Sequence, residues 1–328
     1  MSVKFSIIAI LLAGFILIPV PSPVSGQAAH AVLKGDHVPG TTGDHIPGLT
    51  GDQIPGLTGD QMPGLTGDHV PGTKEYDIPG SQEFHEAVSN GNCEPGGSGR
   101  NESMTDREKQ IKLPVGAFSA ENNSQTLPDG WEEMTFRGLD PTEYRLAEVD
   151  GRMVVRAHSS RSSSGLIRRK NIDLSEYPVI EWSWKVENIL EKGDVYSKDG
   201  DDYPARIYVI FDYDLNNLGW GTRNMIRLLR RFYGEVPARA INYIYASHAE
   251  TGTVVSNPYT DLVKMIVVDS GEGQTGQWRT YRRNIYEDYI SIYGEEPPPV
   301  AGLAIMTDSD DTKASATAYF GDICFLRE

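Results

Sequence analysis

Five copies of an eight-residue unit run from Gly35 to Gly72: GDHVPG, GDHIPG, GDQIPG, GDQMPG and GDHVPG, separated by TT or LT. A sixth, degraded copy ends in the same register at Ile78-Pro79-Gly80. Each unit holds one aliphatic residue, one proline and two glycines. Such a segment buries too little apolar surface to offset the entropy of ordering its backbone. Pro-Gly favours a type II turn, because proline presets one dihedral and glycine accepts the positive one. Glycine does not recur every third residue, as a collagen helix requires. The repeat, at 35–80, is therefore expected to be a disordered spacer, and any fold must come from the rest of the chain. Residues 81–112 continue with Gly, Ser, Asn and mixed charge. Together 27–112 read as a Gly/Pro-rich linker, which if flexible spans about 50 Å end to end.

Five of the seven histidines, His30, His37, His45, His69 and His85, fall in this region. Adjacent Asp and His at period eight invite a metal-binding reading. The third position of the unit is also Gln53 and Gln61, and glutamine replaces imidazole poorly, so the solvated spacer is the preferred reading.

Ahead of the linker, residues 1–26 have the form of a signal peptide. Lys4 precedes an apolar run over 5–20, and small residues follow at Ser22, Ser25 and Gly26. A charged start, an apolar stretch and a small-residue end suit signal peptidase, with cleavage expected after Gly26 or Ala28. The run stops at Pro19 and Pro21, short of the roughly 20 residues of a spanning helix. The expected location is outside the cytoplasm, periplasmic or extracellular, with no transmembrane segment after cleavage.

The formal net charge is −16, from 30 Lys+Arg against 46 Asp+Glu. That argues against nucleic acid as a partner and against an anionic membrane surface, since both need basic faces. Two cysteines, Cys93 and Cys324, exclude a disulfide-built scaffold and a four-cysteine zinc site. They can pair in an oxidising compartment, but their spacing does not decide whether they do.

Residues 113–328 carry the folded part. Short β-branched and aromatic runs bounded by turn residues predict strands over 153–158, 165–170, 179–186, 205–212, 241–246, 264–269, 277–284, 300–308 and 316–325. Helical spacing appears in NMIRLLRRFY (224–233), where Ile226, Leu229 and Tyr233 share a side, and in IYEDYISIY (285–293). Nine strands with one or two short helices predict an all-β fold, an antiparallel β-sandwich of jelly-roll type.

Motifs for known chemistry are sparse. GEGQTG (271–276) matches a dinucleotide fingerprint, but QWRTYRRN after it reads as strand, whereas a bound phosphate needs a helix N-terminus. A hairpin turn is expected there. His158 and His248 are the only histidines of the folded part, and nothing points to a Ser-His-Asp triad. Two acidic clusters stand out: Asp199-Gly-Asp201-Asp202 and Asp308-Ser-Asp310-Asp311-Thr312. Both sit at predicted strand ends. Closely spaced aspartates can hold a hard cation such as calcium, and they also suit solvated turns. Catalytic paired carboxylates, as in glycan hydrolysis, remain an alternative whose geometry no spacing reveals.

Strand alternation puts Trp182 and Trp184 on one face with Ile180 and Val186, leaving Glu181 and Lys185 opposite. The next strand places Ala205, Ile207, Val209 and Phe211 on its core face and Arg206 and Tyr208 on the other. Glu181, Lys185, Arg206 and Tyr208 are thus candidates for one polar sheet face that binds a polar ligand such as a sugar. Asp201, Asp202, Tyr203, Asn242 and Tyr243 complete the candidate ligand-binding set.

WSWKVEN (182–188), GDDYPARIYVIF (200–211), AINYIYAS (240–247) and MTDSDDTKASATAYFGDICF (306–325) appear in order along the chain. This pattern resembles the bacterial domain-of-unknown-function family numbered 3047, over about 113–325. The resemblance implies an exported bacterial protein of no established activity, related to galactose-binding-like jelly rolls, whose best-known members are non-catalytic carbohydrate-binding modules. Where such modules hold a structural calcium, a closing-strand aspartate often contributes. On that basis Asp322 joins Asp308, Asp310 and Asp311 as a candidate calcium ligand. The leading expectation is a non-catalytic module for a carbohydrate or another polar cell-envelope component. The alternatives are a structural or adhesion role carried by the repeat and a glycan hydrolase working through the Asp loops.

Overall fold

The computed structural model describes residues 112–121, 127–233 and 238–327. The signal-like leader, the repeat, nearly all of the linker and Cys93 lie outside them. Among the described residues, thirteen strands build two sheets: β1 Lys112–Gly116, β2 Glu132–Thr135, β3 Glu143–Val149, β4 Arg152–Ser160, β5 Ser163–Ile172, β6 Val179–Val186, β7 Arg206–Phe211, β8 Ala240–Ala246, β9 Val254–Asn257, β10 Thr260–Ser270, β11 Trp278–Asn284, β12 Val300–Asp308 and β13 Ser315–Leu326. Two helices interrupt, α1 Trp220–Tyr233 between β7 and β8, and α2 Ile285–Tyr293 between β11 and β12.

The six-stranded sheet runs β11-β6-β13-β4-β3, with β1 also on β13. The seven-stranded sheet runs β2-β5-β12-β7-β8-β10-β9. The chain changes sheet after β1, β2, β4, β5, β6, β10, β11 and β12, which is how a jelly roll distributes successive strands. The expected all-β sandwich is therefore the observed fold, and the nine strands read from alternation all form. One pair departs from the antiparallel scheme, because β8 and β10 run parallel. All seven residues of β8 are buried, as suits a strand covered on both faces.

The two sheets bury their alternate side chains against each other. Trp182 and Trp184 of β6 are 1% and 0% exposed. Trp182 meets Tyr243 of β8 with ring centroids 5.2 Å apart, and Trp184 meets Phe320 of β13 edge-on at 6.5 Å. Ile207, Val209 and Phe211 join them from β7, and Leu303 and Ile305 from β12. The tryptophans belong to the core and offer no exposed stacking platform.

α2 closes one end of this core. Its sequence-expected bounds agree with the structure. The Asn284 side chain accepts the Glu287 amide at 3.2 Å, and Gly294 ends the helix at φ 71°. Asp288 of α2 accepts the Tyr243 hydroxyl at 2.7 Å and pairs with Arg283. α1 begins four residues earlier than its sequence pattern marks, and Ile226 is buried against the domain.

β1, β2, β3 and β9 escaped the sequence reading. β2, β3 and β9 lie at sheet edges, where one backbone side has no neighbour and polar residues are common. β1 begins at Lys112, one residue before the expected start of the folded part. The GEGQTG segment holds a 3-10 turn, Glu272–Gln274, and is followed by strand, as its context predicted. It is not a hairpin, however. β10 and β11 belong to different sheets, and the segment carries the chain from one to the other.

Gly302 of β12 lies where a Cβ would stand 2.7 Å from the Arg168 carbonyl oxygen of the neighbouring strand. Backbone cannot move aside as a flexible side chain can. Gly302→Ala is expected to destabilise the domain by about 1–3 kcal/mol through overpacking. A lowered urea midpoint at unchanged slope checks it.

Candidate functional site

The outer face of the seven-stranded sheet is where the sequence candidates converge. On β7, Arg206 and Tyr208 point away from the core, and on β8 Asn242 does the same. Register pairs Tyr208 with Asn242 and Arg206 with Ile244. On the other side β12 contributes Met306 opposite Arg206, with Asp308 two residues on. This face is not open to solvent. The connection from β6 to β7 folds back over it, seating Val195 and Tyr203 on Ile244, Ala246, Met265 and Val267.

Arg206 is fully buried. One guanidinium nitrogen, Nη2, donates to Asp308 Oδ2, and Nη1 stands 3.9 Å from Asp201 Oδ1. The Tyr203 and Tyr208 rings flank it, 5.0 and 5.6 Å from the guanidinium carbon. Asp308 also accepts the Tyr203 amide at 3.1 Å, which ties the overlying connection to the end of β12. Asn257 of β9 donates to both oxygens of Asp201, at 3.0 and 2.9 Å.

Burial shapes the electrostatics. It pushes the Asp201 carboxyl up to about 7, against the opposing pull of Arg206 and Asn257. It pushes Asp310 up to about 6, and the neighbouring Asp202 adds to that. Burial alone would lower Arg206, but Tyr208 and Asp201 hold it above its ordinary value. Burial raises the Tyr208 hydroxyl to about 12, so it remains a neutral donor and acceptor at physiological pH.

Several polar atoms of this face have no protein hydrogen-bond partner although they are buried. They are both amide atoms of Asn242, the Tyr203 and Tyr208 hydroxyls, and Nε and Nη1 of Arg206. Beside them Asp202 Oδ1 and Thr312 Oγ1 are also unpartnered, and the Asp310 oxygens have only the Ser163 hydroxyl beside them. Leaving a buried polar group unsatisfied costs about 1–3 kcal/mol each, so a cluster of this size on one sheet face marks a site.

The two acidic clusters, more than 100 residues apart in sequence, meet here. One carboxylate oxygen from each of Asp202, Asp310 and Asp311 lies within 4.8 Å of the others. Asp308 stands apart from that trio because it is engaged by Arg206. Asp322 is also separate. Its carboxylate accepts the Ser119 amide and hydroxyl at 2.9 and 2.6 Å on the other sheet, so it does not share a cation with the Asp310 loop.

Three further candidates are displaced. Glu181 and Lys185 sit on the outer face of the six-stranded sheet, not on the face of Arg206 and Tyr208. There Glu181 pairs with Lys112 at 3.6 Å, and Lys185 with Asp150 at 3.4 Å and Glu187 at 3.8 Å. β6 and β7 follow one another in sequence but lie in different sheets, so their polar faces point in opposite directions. Tyr243 is inward-facing core, one residue from outward-facing Asn242. Asn257 and Thr312 were not singled out from the sequence. A lone Asn in an edge strand carries no signal, and Thr312 was quoted only as the end of an acidic run.

His158 bonds Thr317 Oγ1 at 2.8 Å and His248 the Glu191 carbonyl at 2.8 Å, so neither forms a Ser-His-Asp triad among the described residues. Cys324 is buried in β13, and its prospective partner Cys93 lies outside the described residues. Among the described residues no helix is long and apolar enough to cross a membrane.

With this geometry in view, the chain can be placed. The family described as "Protein of unknown function (DUF3047)" matches residues 129–324. The chain belongs to this family. Its match spans both acidic clusters, Arg206 and Asn242. No curated protein matches it in sequence. Similar solved structures include the K1 cleaved adhesin domain of Lys-gingipain from Porphyromonas gingivalis W83, at 9% identity and TM-score 0.30, covering 66% of this chain and 98% of that one. The family 30 carbohydrate-binding module of a Clostridium thermocellum cellulosomal cellulase matches at 13% and 0.31, covering 60% and 91%. The xyloglucanase domain of NopAA from Sinorhizobium fredii, solved with cellobiose, matches at 10% and 0.33, covering 66% and 100%. Superpositions this loose assign no ligand to the DUF3047 chain.

Removing one partner of the buried Arg206–Asp308 pair leaves an uncompensated charge in the interior. Asp308→Ala is expected to cost about 3–5 kcal/mol of stability. Chemical denaturation checks it.

Proposed function

We propose that this protein is an exported, non-catalytic binding module for a small polyhydroxylated ligand of the carbohydrate class, held on the outer face of the seven-stranded sheet. The observation that carries the reading is Asn242. Its amide is fully buried in the middle of that face, yet neither its oxygen nor its nitrogen has a protein partner. The Tyr208 hydroxyl opposite can donate and accept, and Nε of Arg206, which has no hydrogen-bond partner, can donate. Hydroxyl groups both donate and accept, so one polyhydroxylated ligand complements all of them. The connection from β6 to β7, including Val195 and Tyr203, packs on the adjoining part of the same face, and Asn242, Tyr208 and Arg206 are buried. Ligand entry therefore requires local opening, and association is expected to be slow relative to simple docking. Export rests on the signal-like leader, and the Gly/Pro repeat would hold the module away from its point of attachment.

The test is thermal unfolding of the full chain against a panel of mono- and oligosaccharides and cell-wall fragments. A ligand at 100 times its Kd should stabilise the fold by about 2.7 kcal/mol. Asn242→Ala is expected to abolish that shift while keeping the wild-type circular dichroism spectrum. Tyr208→Phe should weaken binding by about 5–10-fold, the worth of one hydrogen bond. No shift with any sugar would refute the reading, and release of new reducing ends would replace binding by turnover.

A further inference from the structure

The second group of unpartnered atoms lies beside the first and has a different chemistry. Asp202 precedes β7, and Asp310, Asp311 and Thr312 follow β12. The Thr312 amide donates to Asp202 Oδ2 at 2.5 Å, which draws the two loops together. Asp202 and Asp310 are 0% and 2% exposed. Oδ1 of Asp202 has no hydrogen-bond partner, and the oxygens of Asp310 have only the Ser163 hydroxyl beside them. The Thr312 hydroxyl, on a residue 5% exposed whose amide bonds Asp202, is a neutral oxygen that is likewise unpartnered. Asp311 is half-buried, with the Tyr259 hydroxyl 3.4 Å from it.

Nearby positive charge is already engaged. Arg206 serves Asp308 and Asp201, and the Lys313 ammonium donates to the Asp310 backbone carbonyl. Asp202 and Asp310 thus bring negative charge together where water is excluded, which is costly to bury. Three carboxylates, each with an oxygen within 4.8 Å of the others, form an all-oxygen donor set, and the Thr312 amide on Asp202 brings a fourth oxygen-bearing side chain to the same loop junction. Hard cations prefer such donors, and calcium tolerates the irregular, partly water-completed geometry that two loops provide.

We propose that Asp202, Asp310 and Asp311, with the Thr312 hydroxyl, bind one hard divalent cation of the calcium class, which clamps the loop before β7 to the loop after β12. The cation acts on loop closure and does not depend on a ligand at Asn242. The site differs from the calcium set read from the sequence by gaining Asp202 and Thr312 and losing Asp308 and Asp322.

The experiment uses the full chain, stripped with chelator and dialysed. Equilibrium dialysis with calcium-45 and thermal unfolding with calcium or magnesium chloride are read without any sugar. The expected result is one saturable calcium per chain and a rise in Tm of a few degrees, with a smaller response to magnesium. Asp310→Asn and Asp311→Asn are expected to lose that calcium. Stripped Asp310→Asn should melt no lower than stripped wild type, because it carries one buried charge less. Should either variant fail to fold, Thr312→Val removes only a neutral donor and is expected to weaken calcium about tenfold. Asp322→Asn should bind as wild type. Absence of stoichiometric calcium in wild type would overturn the proposal. So would wild-type binding by the folded site variants, which would move the ion elsewhere in the chain.

Discussion

A single guanidinium organises the polar half of this molecule. Arg206 leaves a central strand on the side away from the core, and it can be buried there only because Asp308 and Asp201 approach from two directions. Those carboxylates are at the end of β12 and in the connection that overlies the sheet. Their attraction to one charge fixes where both segments lie. The Tyr203 amide on Asp308 and the Asn257 amide on Asp201 then lock the arrangement from each side. A buried pair of this kind is weak evidence for net stability, since desolvation offsets much of the Coulomb gain. Its role here is to specify position.

Position is what brings the unsatisfied atoms together. The apolar core between the sheets, built on Trp182, Trp184 and Tyr243, makes the seven-stranded sheet a rigid platform. Rigid elements hold site residues more closely than loops do. Asn242, Tyr208 and Arg206 therefore present their polar atoms in a defined pattern, with the loops before β7 and after β12 held beside Arg206. The acidic trio lies where those loops meet. A cation there and a polar ligand on the sheet would occupy adjoining positions, each with its own donor set.

Much of this was legible residue by residue. Alternation in WSWKV and RIYVIF sent the tryptophans inward and Arg206 and Tyr208 outward, and both assignments hold. The nine strongest strands and α2 followed from periodicity. The acidic runs stood out by composition. Edge strands such as EEMT at 132–135 did not, because half-exposed segments lack a continuous apolar stripe. Grouping failed where side-chain parity had to be carried across sheets. Parity tells which face of its own strand a residue occupies, but it says nothing about the sheet to which the strand belongs. Glu181 and Lys185 were joined to Arg206 for that reason, and Tyr243 was included although its neighbour Asn242 takes the outer face.

The amino-acid sequence by itself determined that the C-terminal part is a β-sandwich and that two aspartate clusters lie at its strand ends. Those properties are local, set by composition, spacing and turn chemistry. Only the tertiary structure decided that Asp202 meets Asp310 and Asp311, that Asp308 belongs to Arg206, and that Asp322 belongs to Ser119. Each pairing depends on strand order across two sheets. That order is chosen by the packing of distant apolar faces, which no short window of sequence contains.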